Sequence, residues 1–273
     1  MVNKDITIII SSCDAYNDAW EPFFTLFFRY WPDCPFSLYL ISGSKVYPDT
    51  RVTTLRSAYP DWGRSLKSAL SQILSQYIIY LQEDYFLKRK VDTDFIVRLT
   101  ELARTEHAGY LRLYPSPGPT SFFKNYRDVG FIENNAPYRT SLQAALWDKN
   151  VLMSLLQDGA ESGADFEKRT PELSAKIDQQ FLSVRRGIFF PYDRSAAVDY
   201  LATGIVKRCW NRSVVHLFRK EKIKHDFSGR TFEPWKNYVK HVLTSLPFVG
   251  IFFRYGYRLY YGVKLRILST NNL

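Results

Sequence analysis

Cysteine is scarce in this chain of 273 residues: Cys13, Cys34 and Cys209 are the whole complement, and no CxxC spacing occurs. An odd, scattered set argues against a disulfide framework and against a zinc site, and it suits a reducing compartment. Histidine is nearly as thin, with His107, His216, His225 and His241 at no metal-binding spacing. There is no Walker A element, no GxGxxG, and no Ser-His-Asp or Cys-His pattern, so kinase and dehydrogenase readings fall. The longest strongly apolar stretch without Lys, Arg, Asp or Glu is 241–253, only thirteen residues. A bilayer span needs about 20. The opening Met1-Val2-Asn3-Lys4-Asp5 carries no signal-peptide pattern. Together these absences predict a cytoplasmic protein. Internal repeats and low-complexity segments are also missing.

What is present is an ordinary globular composition, 46% apolar and 23% charged, with aromatics high at 16%. That balance excludes collagen, coiled coil and disordered chain, and the length is ample for a sizeable core. The formal charge of +10 is unevenly spread. Residues 204–273 hold fourteen Lys/Arg against three Asp/Glu, whereas residues 1–203 hold 23 basic and 24 acidic groups. The body is neutral and the tail is basic. This predicts one domain over 1–203 and a basic, aromatic extension over 204–273.

Two hydrophobic periods alternate through the first half. Ile6-Thr7-Ile8-Ile9-Ile10 is a continuous apolar run, as in a strand buried on both faces of a parallel sheet. It stops at Ser11-Ser12-Cys13-Asp14. A helix is predicted over 19–30, closed by Pro32 and Pro35, then strands over 37–41 and 51–55 and a helix over 64–74. A strongly apolar strand over 77–81 ends abruptly on Gln82-Glu83-Asp84-Tyr85, followed by a helix over 94–106 and a strand over 110–114. This is a βαβ series, hence a mostly parallel sheet with helices on both faces. Residues 115–137 read as a long Pro/Gly/Asn-rich loop, 147–157 and 177–184 as short helices, and 189–192 and 197–201 as strand pieces. In such sheets ligands bind beyond the carboxyl ends of the strands. The exits at Ser11 to Asp14 and at Glu83 to Asp84 are therefore where chemistry is expected.

Glu83-Asp84 is the sharpest local feature. Adjacent carboxylates at the end of a buried strand repel each other and resist desolvation, so a cation or hydrogen-bond donors must compensate them. A divalent metal held by one or two carboxylates plus substrate phosphate is one solution; a solvated strand end capping a turn is the other. Asp61-Trp62-Gly63-Arg64 offers a close backbone approach at Gly63 and Arg64 at a helix start for phosphate or ribose. Equally, Asp61 can cap that helix with Trp62 packed inward. Gln143, beside Ala144-Ala145, suits sugar or acceptor hydroxyls, or a buried, satisfied amide.

These stretches resemble a bacterial GT-A-type glycosyltransferase of capsule, exopolysaccharide or O-antigen synthesis. The resemblance is carried by Ile8-Ile9-Ile10-Ser11-Ser12-Cys13-Asp14-Ala15-Tyr16, Trp20-Glu21-Pro22-Phe23-Phe24, Tyr30-Trp31-Pro32-Asp33, Asp61-Trp62-Gly63-Arg64 and Tyr77 through Phe86, then by Ser141 through Trp147 and Asp165-Phe166-Glu167. It covers roughly residues 6–210 and departs at Gln82-Glu83-Asp84, where an Asp-rich triplet is usual. It implies a GT-A-like, Rossmann-like central sheet flanked by helices, with the tail as a helical extension. It further implies that Ser11, Ser12 and Asp14 line the base and ribose of a UDP- or GDP-type nucleotide-sugar donor, and that Asp84, helped by Glu83, holds Mg2+ or Mn2+ on its diphosphate. Glu167 or Asp165, with Glu167 favoured, would deprotonate the acceptor hydroxyl.

The tail alternates rings and cations over 248–261, after a basic run at 219–224 and a helical stretch over 235–246 broken by Pro247. Three uses compete: docking on an anionic membrane surface, base stacking on nucleic acid, and a helix pair packed on the body or a second subunit. The long apolar runs favour lipid over nucleic acid. The resulting expectation is a glycosyltransferase acting on a glycan or lipid-linked acceptor at the inner face of the membrane. The alternatives are a non-catalytic glycan-binding protein on a transferase fold and a nucleotidyltransferase.

Overall fold

The structure, a computed structural model, describes residues 5–185 and 196–239. The strand pieces expected over 189–192 and the ring-and-cation stretch over 248–261 lie outside the described residues, as does most of the tail helix. The chain divides into two compact units, Met1–Thr203 and Gly204–Leu273.

In the first unit, β1 (Ile6–Ser11) is buried along its whole length and lies between two parallel neighbours, β2 (Ser37–Ser42) and β4 (Tyr77–Gln82). A continuous apolar run has exactly this use, since both faces of a central strand are covered. The crossover from β1 to β2 is a 3-10 helix (Asp14–Ala19) followed by α1 (Trp20–Tyr30). α1 buries Trp20, Phe23, Phe24 and Phe27, with Phe27 packed on Trp31 at 5.5 Å between rings. β3 (Val52–Arg56) forms one edge. α2 (Trp62–Ser71) begins at Asp61, whose carboxylate accepts from the Arg64 N–H, and α3 (Thr93–Thr105) begins at Asp92 in the same way. Each cap satisfies a donor that the first helical turn leaves open.

The second half completes a nine-stranded sheet of order β3-β2-β1-β4-β8-β5-β9-β7-β6. It adds β5 (Ala108–Arg112), β6 (Ser121–Phe122), β7 (Val129–Phe131), β8 (Ala145–Asp148), α4 (Lys149–Leu155), α5 (Gly163–Ser174) and β9 (Gln180–Val184). The expected mostly parallel sheet flanked by helices is present, with two corrections. Residues 145–148 are a strand rather than the start of a helix over 147–157. β8 runs antiparallel between β4 and β5, and Trp147 there is fully buried with its ring 4.4 Å from that of Tyr110. The helix starts only after Asp148, which caps it. Residues 180–184, read as helical, form β9 parallel to β5. A short buried apolar run fits either state, and here the neighbouring strand decides. The loop over 115–137 also yields β6 and β7.

Two buried arginines pin the base of that loop. Arg112 donates from Nε to the Tyr110 hydroxyl at 2.9 Å, from Nη1 to the Pro117 carbonyl, and from Nη2 to the Tyr138 carbonyl at 2.5 Å. Arg139 donates to the Ile132 carbonyl and, at 3.1 Å, to Ser174 Oγ, with its guanidinium 4.2 Å above the Phe181 ring. Burial lowers the Arg139 pKa to about 10, so it stays charged at neutral pH. A planar fork with several fixed donors suits this role and an ammonium does not.

In the second unit, β10 (Ile205–Val206) pairs antiparallel with β11 (Cys209–Trp210), and α6 (Ser213–Lys220) follows. Trp210, Phe218, His225 and Phe227 form its aromatic centre, with ring centroids 4.7–6.3 Å apart. No helix among the described residues is long and apolar enough to cross a membrane.

Truncating Arg112 to Met removes the donors from the part-buried carbonyls of Pro117 and Tyr138 and from the buried Tyr110 hydroxyl, at about 1 kcal/mol each. Urea unfolding of Arg112→Met is expected to show a loss of roughly 3 kcal/mol, and Arg112→Lys is expected to recover only part of it. A loss below about 1 kcal/mol in Arg112→Met would contradict the clamp.

Candidate functional site

The carboxyl ends of β1 and β4 are adjacent because Ser11 is in register with Gln82. At the β1 exit, Ser11 is buried, and Ser12 Oγ accepts from Trp20 Nε1 at 2.7 Å. Asp14 faces the turn that follows β2. Its carboxylate accepts from the backbone N–H groups of Gly43 (3.0 Å), Ser44 (2.8 Å) and Lys45 (3.2 Å), and from Ser44 Oγ (2.7 Å). Consecutive amides around one anion form a nest. The Ser44 amide and hydroxyl lead in lowering the Asp14 pKa to about 2. A Cβ on Gly43 would stand 3.0 Å from Asp14 Oδ2, so glycine leaves the carboxylate its room. Asp14 thus ties the exits of β1 and β2 together.

At the β4 exit, Glu83 and Asp84 are both buried. The Tyr80 hydroxyl accepts from Trp62 Nε1 at 3.1 Å and Gln82 Nε2 at 3.2 Å, and burial pushes its pKa up to about 12. Trp62 opens α2 and its ring meets Phe166 of α5 at 5.3 Å. Gly63 donates its N–H to the Glu161 carbonyl at 3.0 Å, while Arg64 Nε pairs with Asp61 Oδ2 at 2.6 Å. Asp61 is therefore the helix cap and Trp62 packs inward. Arg64 holds that cap, and its guanidinium lies 5.1 Å from the Tyr59 ring centroid.

Between the β4 exit and α5 runs an irregular, mostly buried segment, 138–144. Tyr110 donates its hydroxyl to the Ser141 carbonyl and Tyr85 donates to the Leu142 carbonyl, both at 2.9 Å. Glu167 Oε1 accepts from the Leu142 N–H at 2.7 Å and from Ser141 Oγ at 3.2 Å. Gln143 Oε1 accepts from the Tyr200 hydroxyl at 2.5 Å, and that hydroxyl accepts from the Ala144 N–H at 3.1 Å. The Tyr85 and Tyr200 rings stack at 4.3 Å. Burial drives the Tyr85 pKa well above its ordinary value, and the charges of Asp84 and Glu167 add to the rise. Both carboxylates therefore act on one tyrosine.

The structure thus brings the β4 exit, through Tyr85, and Glu167 of α5 onto the 138–144 segment that carries Gln143; Glu83 and Asp84 precede Tyr85 at that exit. Asp165 stands apart. Its side chain is 64% exposed, and it bonds Ser162 within its own first turn, which lowers its pKa. It caps α5 together with Ser162. Sequence reasoning missed Tyr85, Tyr200 and Glu161. Tyr85 directly follows the acidic pair, but nothing local marks Tyr200, which arrives through a segment crossing the β4 and β5 exits. Asp199 anchors that segment by pairing with Lys88 (3.3 Å) and Arg89 (2.5 Å). Glu161, likewise unmarked, is fully buried against Arg169 at 2.7 Å.

Glu83 and Asp84 offer hard oxygen donors, which fits Mg2+ or Mn2+ shared with a diphosphate. They do not make an all-protein cage: among the described residues no group of three His, Cys, Asp or Glu could hold a metal ion.

No family model and no curated protein matches the chain. Among solved structures it is similar to S. aureus TarS 1-349, at 10% identity over 66% of this chain and 57% of that one, TM-score 0.44. It is also similar to the mannosyltransferase PcManGT from Pyrobaculum calidifontis in complex with GDP-Man and Mn2+, at 12% identity over 82% and 65%, TM-score 0.47. A cytidylyltransferase from Leptospira borgpetersenii gives 10% identity over 64% and 72%, TM-score 0.35. The chain spans less than two thirds of the length of TarS 1-349 and of PcManGT. At these TM-scores the likenesses carry no functional weight.

Asp14 is held ionised in the folded state, with a pKa near 2 against an unfolded value of about 3.9. Its stabilisation is fully present above the unfolded value and is lost as pH falls through the folded one. The stability gap between wild type and Asp14→Asn is expected to be constant from pH 7 to about 5, then to close between roughly pH 4 and 2. A carboxyl carbon titration by NMR should give a midpoint near 2 for Asp14; one near the unfolded value would refute the nest.

Proposed function

We propose that the first unit is a nucleotide-sugar-dependent glycosyltransferase of the GT-A type. One observation carries the reading: the buried Glu83-Asp84 pair at the β4 exit runs directly into Tyr85, whose hydroxyl bonds the Leu142 carbonyl, while Glu167 of α5 accepts from the N–H of the same Leu142. Asp84, with Glu83, would hold Mg2+ or Mn2+ against the donor diphosphate, and the ion would supply charge neutralisation for the departing nucleoside diphosphate. Ser11, Ser12 and the turn held by Asp14 form the floor for base and ribose, with Arg64 at its side.

Glu167 is the base. Its Oε1 is fixed by the Leu142 N–H and Ser141 Oγ, so its other oxygen is oriented without further ordering. In an inverting transfer that oxygen takes the proton of the acceptor hydroxyl as the hydroxyl oxygen bonds to the anomeric carbon. The bond from that carbon to the diphosphate breaks, and its electron pair leaves with the nucleotide. Gln143 binds a sugar or acceptor hydroxyl. Asp165, an exposed cap, is the weaker candidate for the base.

The second unit brings the enzyme to a lipid-linked or other glycan acceptor at the inner face of the membrane. The distribution of charge supports this. Of its three acidic residues Glu221 and Glu233 are buried and Asp226 alone is exposed, whereas Lys207, Arg208, Arg219, Lys220, Lys222 and Lys224 are exposed. Trp235 is 63% exposed and stacks on the Arg212 guanidinium at 4.1 Å. Cations beside an exposed ring suit an anionic interface, at about 1 kcal/mol per basic residue.

Calorimetry with UDP, GDP, UDP-GlcNAc and GDP-Man, with and without Mn2+, tests the first part. At least one nucleotide is expected to bind more tightly with Mn2+, and Asp84→Asn is expected to abolish that gain. Glu167→Gln is expected to keep binding but to lower turnover by roughly 100-fold or more. Binding of no nucleotide, together with a silent Asp84→Asn, would sink the proposal, and release of pyrophosphate would mark a nucleotidyltransferase instead. For the second unit, flotation with vesicles containing phosphatidylglycerol is expected to recover the wild type. Arg219→Glu/Lys222→Glu/Lys224→Glu should weaken recovery by roughly tenfold or more; unchanged recovery would remove the membrane role of this face.

A further inference from the structure

The hydrogen bonds around Tyr200 have only one consistent direction. A phenol carries one proton and can accept as well as donate. The Ala144 N–H is a donor only, so at 3.1 Å the Tyr200 oxygen must accept from it. The hydroxyl proton is then committed to the other partner, the Gln143 amide at 2.5 Å, whose facing atom must be the carbonyl oxygen. With the amide turned over, its NH2 would face the hydroxyl as a second donor, and the hydroxyl proton would be left without an acceptor among the described residues. The Tyr200 ring cannot swing to relieve that, because it is fully buried, stacked on Tyr85 at 4.3 Å and packed at a tilt against Tyr114 at 4.5 Å.

We infer that Tyr200 is a positioning residue that fixes the polarity of Gln143, so that the site presents two amide N–H donors to its ligand and never the amide carbonyl. Gln143 is half-buried, and among the described residues Nε2 makes no bond of its own. It lies next to the anchor of Glu167, since the Gln143 N–H donates to Ser141 Oγ at 3.2 Å and that hydroxyl donates to Glu167 Oε1. A donor pair beside a carboxylate sorts the oxygens of a polyhydroxy ligand. Oxygens with a lone pair to offer go to Gln143, and the hydroxyl that must lose its proton goes to Glu167. The inference deepens the glycosyltransferase reading and rests on it for the identity of the ligand as a sugar. The polarity of the amide rests on Tyr200 and Ala144 alone.

Two measurements keep these levels apart. The first needs no ligand: protein labelled with 15N-glutamine, its Gln143 side-chain signals assigned with Gln143→Met, is examined for nuclear Overhauser contacts to the Tyr200 ring. No contact from the Nε2 protons to the ring Hε protons is expected, and Tyr200→Phe should shift or broaden the Gln143 pair. A strong contact, or an unmoved pair in Tyr200→Phe, overturns the inference. The second compares affinities for UDP-GlcNAc over UDP and GDP-Man over GDP. The gain contributed by the sugar should fall about five- to tenfold in Tyr200→Phe, equally in Gln143→Met and no further in the double variant, as for groups acting as one unit. Nucleotide affinity alone should not change. A sugar gain that survives in Tyr200→Phe overturns the ligand-facing role. Failure of every nucleotide to bind, with the amide signals behaving as expected, overturns the transferase reading and leaves the polarity standing.

Discussion

A chain that leaves regular structure inside a protein must still find a partner for each buried N–H and C=O. Residues 138–144 meet that demand largely through side chains: the guanidinium of Arg112, the hydroxyls of Tyr85, Tyr110 and Tyr200, and the carboxylate of Glu167. The candidate site depends on this constraint. The groups that hold the segment come from β5, the β4 exit, α5 and the segment around residue 200, so satisfying the backbone also fixes those four elements against one another. A buried network of this kind rigidifies only when every member is paired. Its cost is borne by two desolvated arginines, which compensate with carbonyls and rings instead of carboxylates.

The second organising feature is the separation of charge. The body is neutral, and its cations are mostly engaged: Arg64 with Asp61, Lys88 and Arg89 with Asp199, Arg169 with Glu161. In the second unit Glu221 and Glu233 are withdrawn from the surface while the lysines stay on it. At the surface of its described part, cations face water with Asp226 as their exposed acidic counterpart.

Much of the central sheet was legible in the sequence because apolar runs such as Ile6–Ile10 and Tyr77–Leu81 bury both faces and end on polar residues. The acidic pair was legible for the same reason, as an abrupt change of character at a strand exit. β8 and β9 were not. Each is four or five residues long, each is buried, and each takes its state from the strands beside it rather than from its own period. Asp61-Trp62-Gly63-Arg64 carried an ambiguity that only neighbours resolve, since a helix start ready to meet a ligand and one whose aspartate caps the helix look alike in sequence. Tyr200 gave no sign, because its importance lies in the direction of one proton, and that direction is set by the amide of Ala144.

The tryptophans give the two units separate optical signatures. Trp31, Trp147 and Trp210 are fully buried, and Trp20 is nearly so. Trp62 is half-buried beside the β4 exit with its indole N–H on the Tyr80 hydroxyl, and Trp235 is exposed on the basic unit. Indole emission responds to local polarity, so the red edge of the spectrum is dominated by Trp235 and the intermediate component by Trp62. A quencher in solution reaches the first readily and the second only partly. Ordinary fluorescence can therefore follow the β4 exit and the basic surface independently in one unlabelled sample.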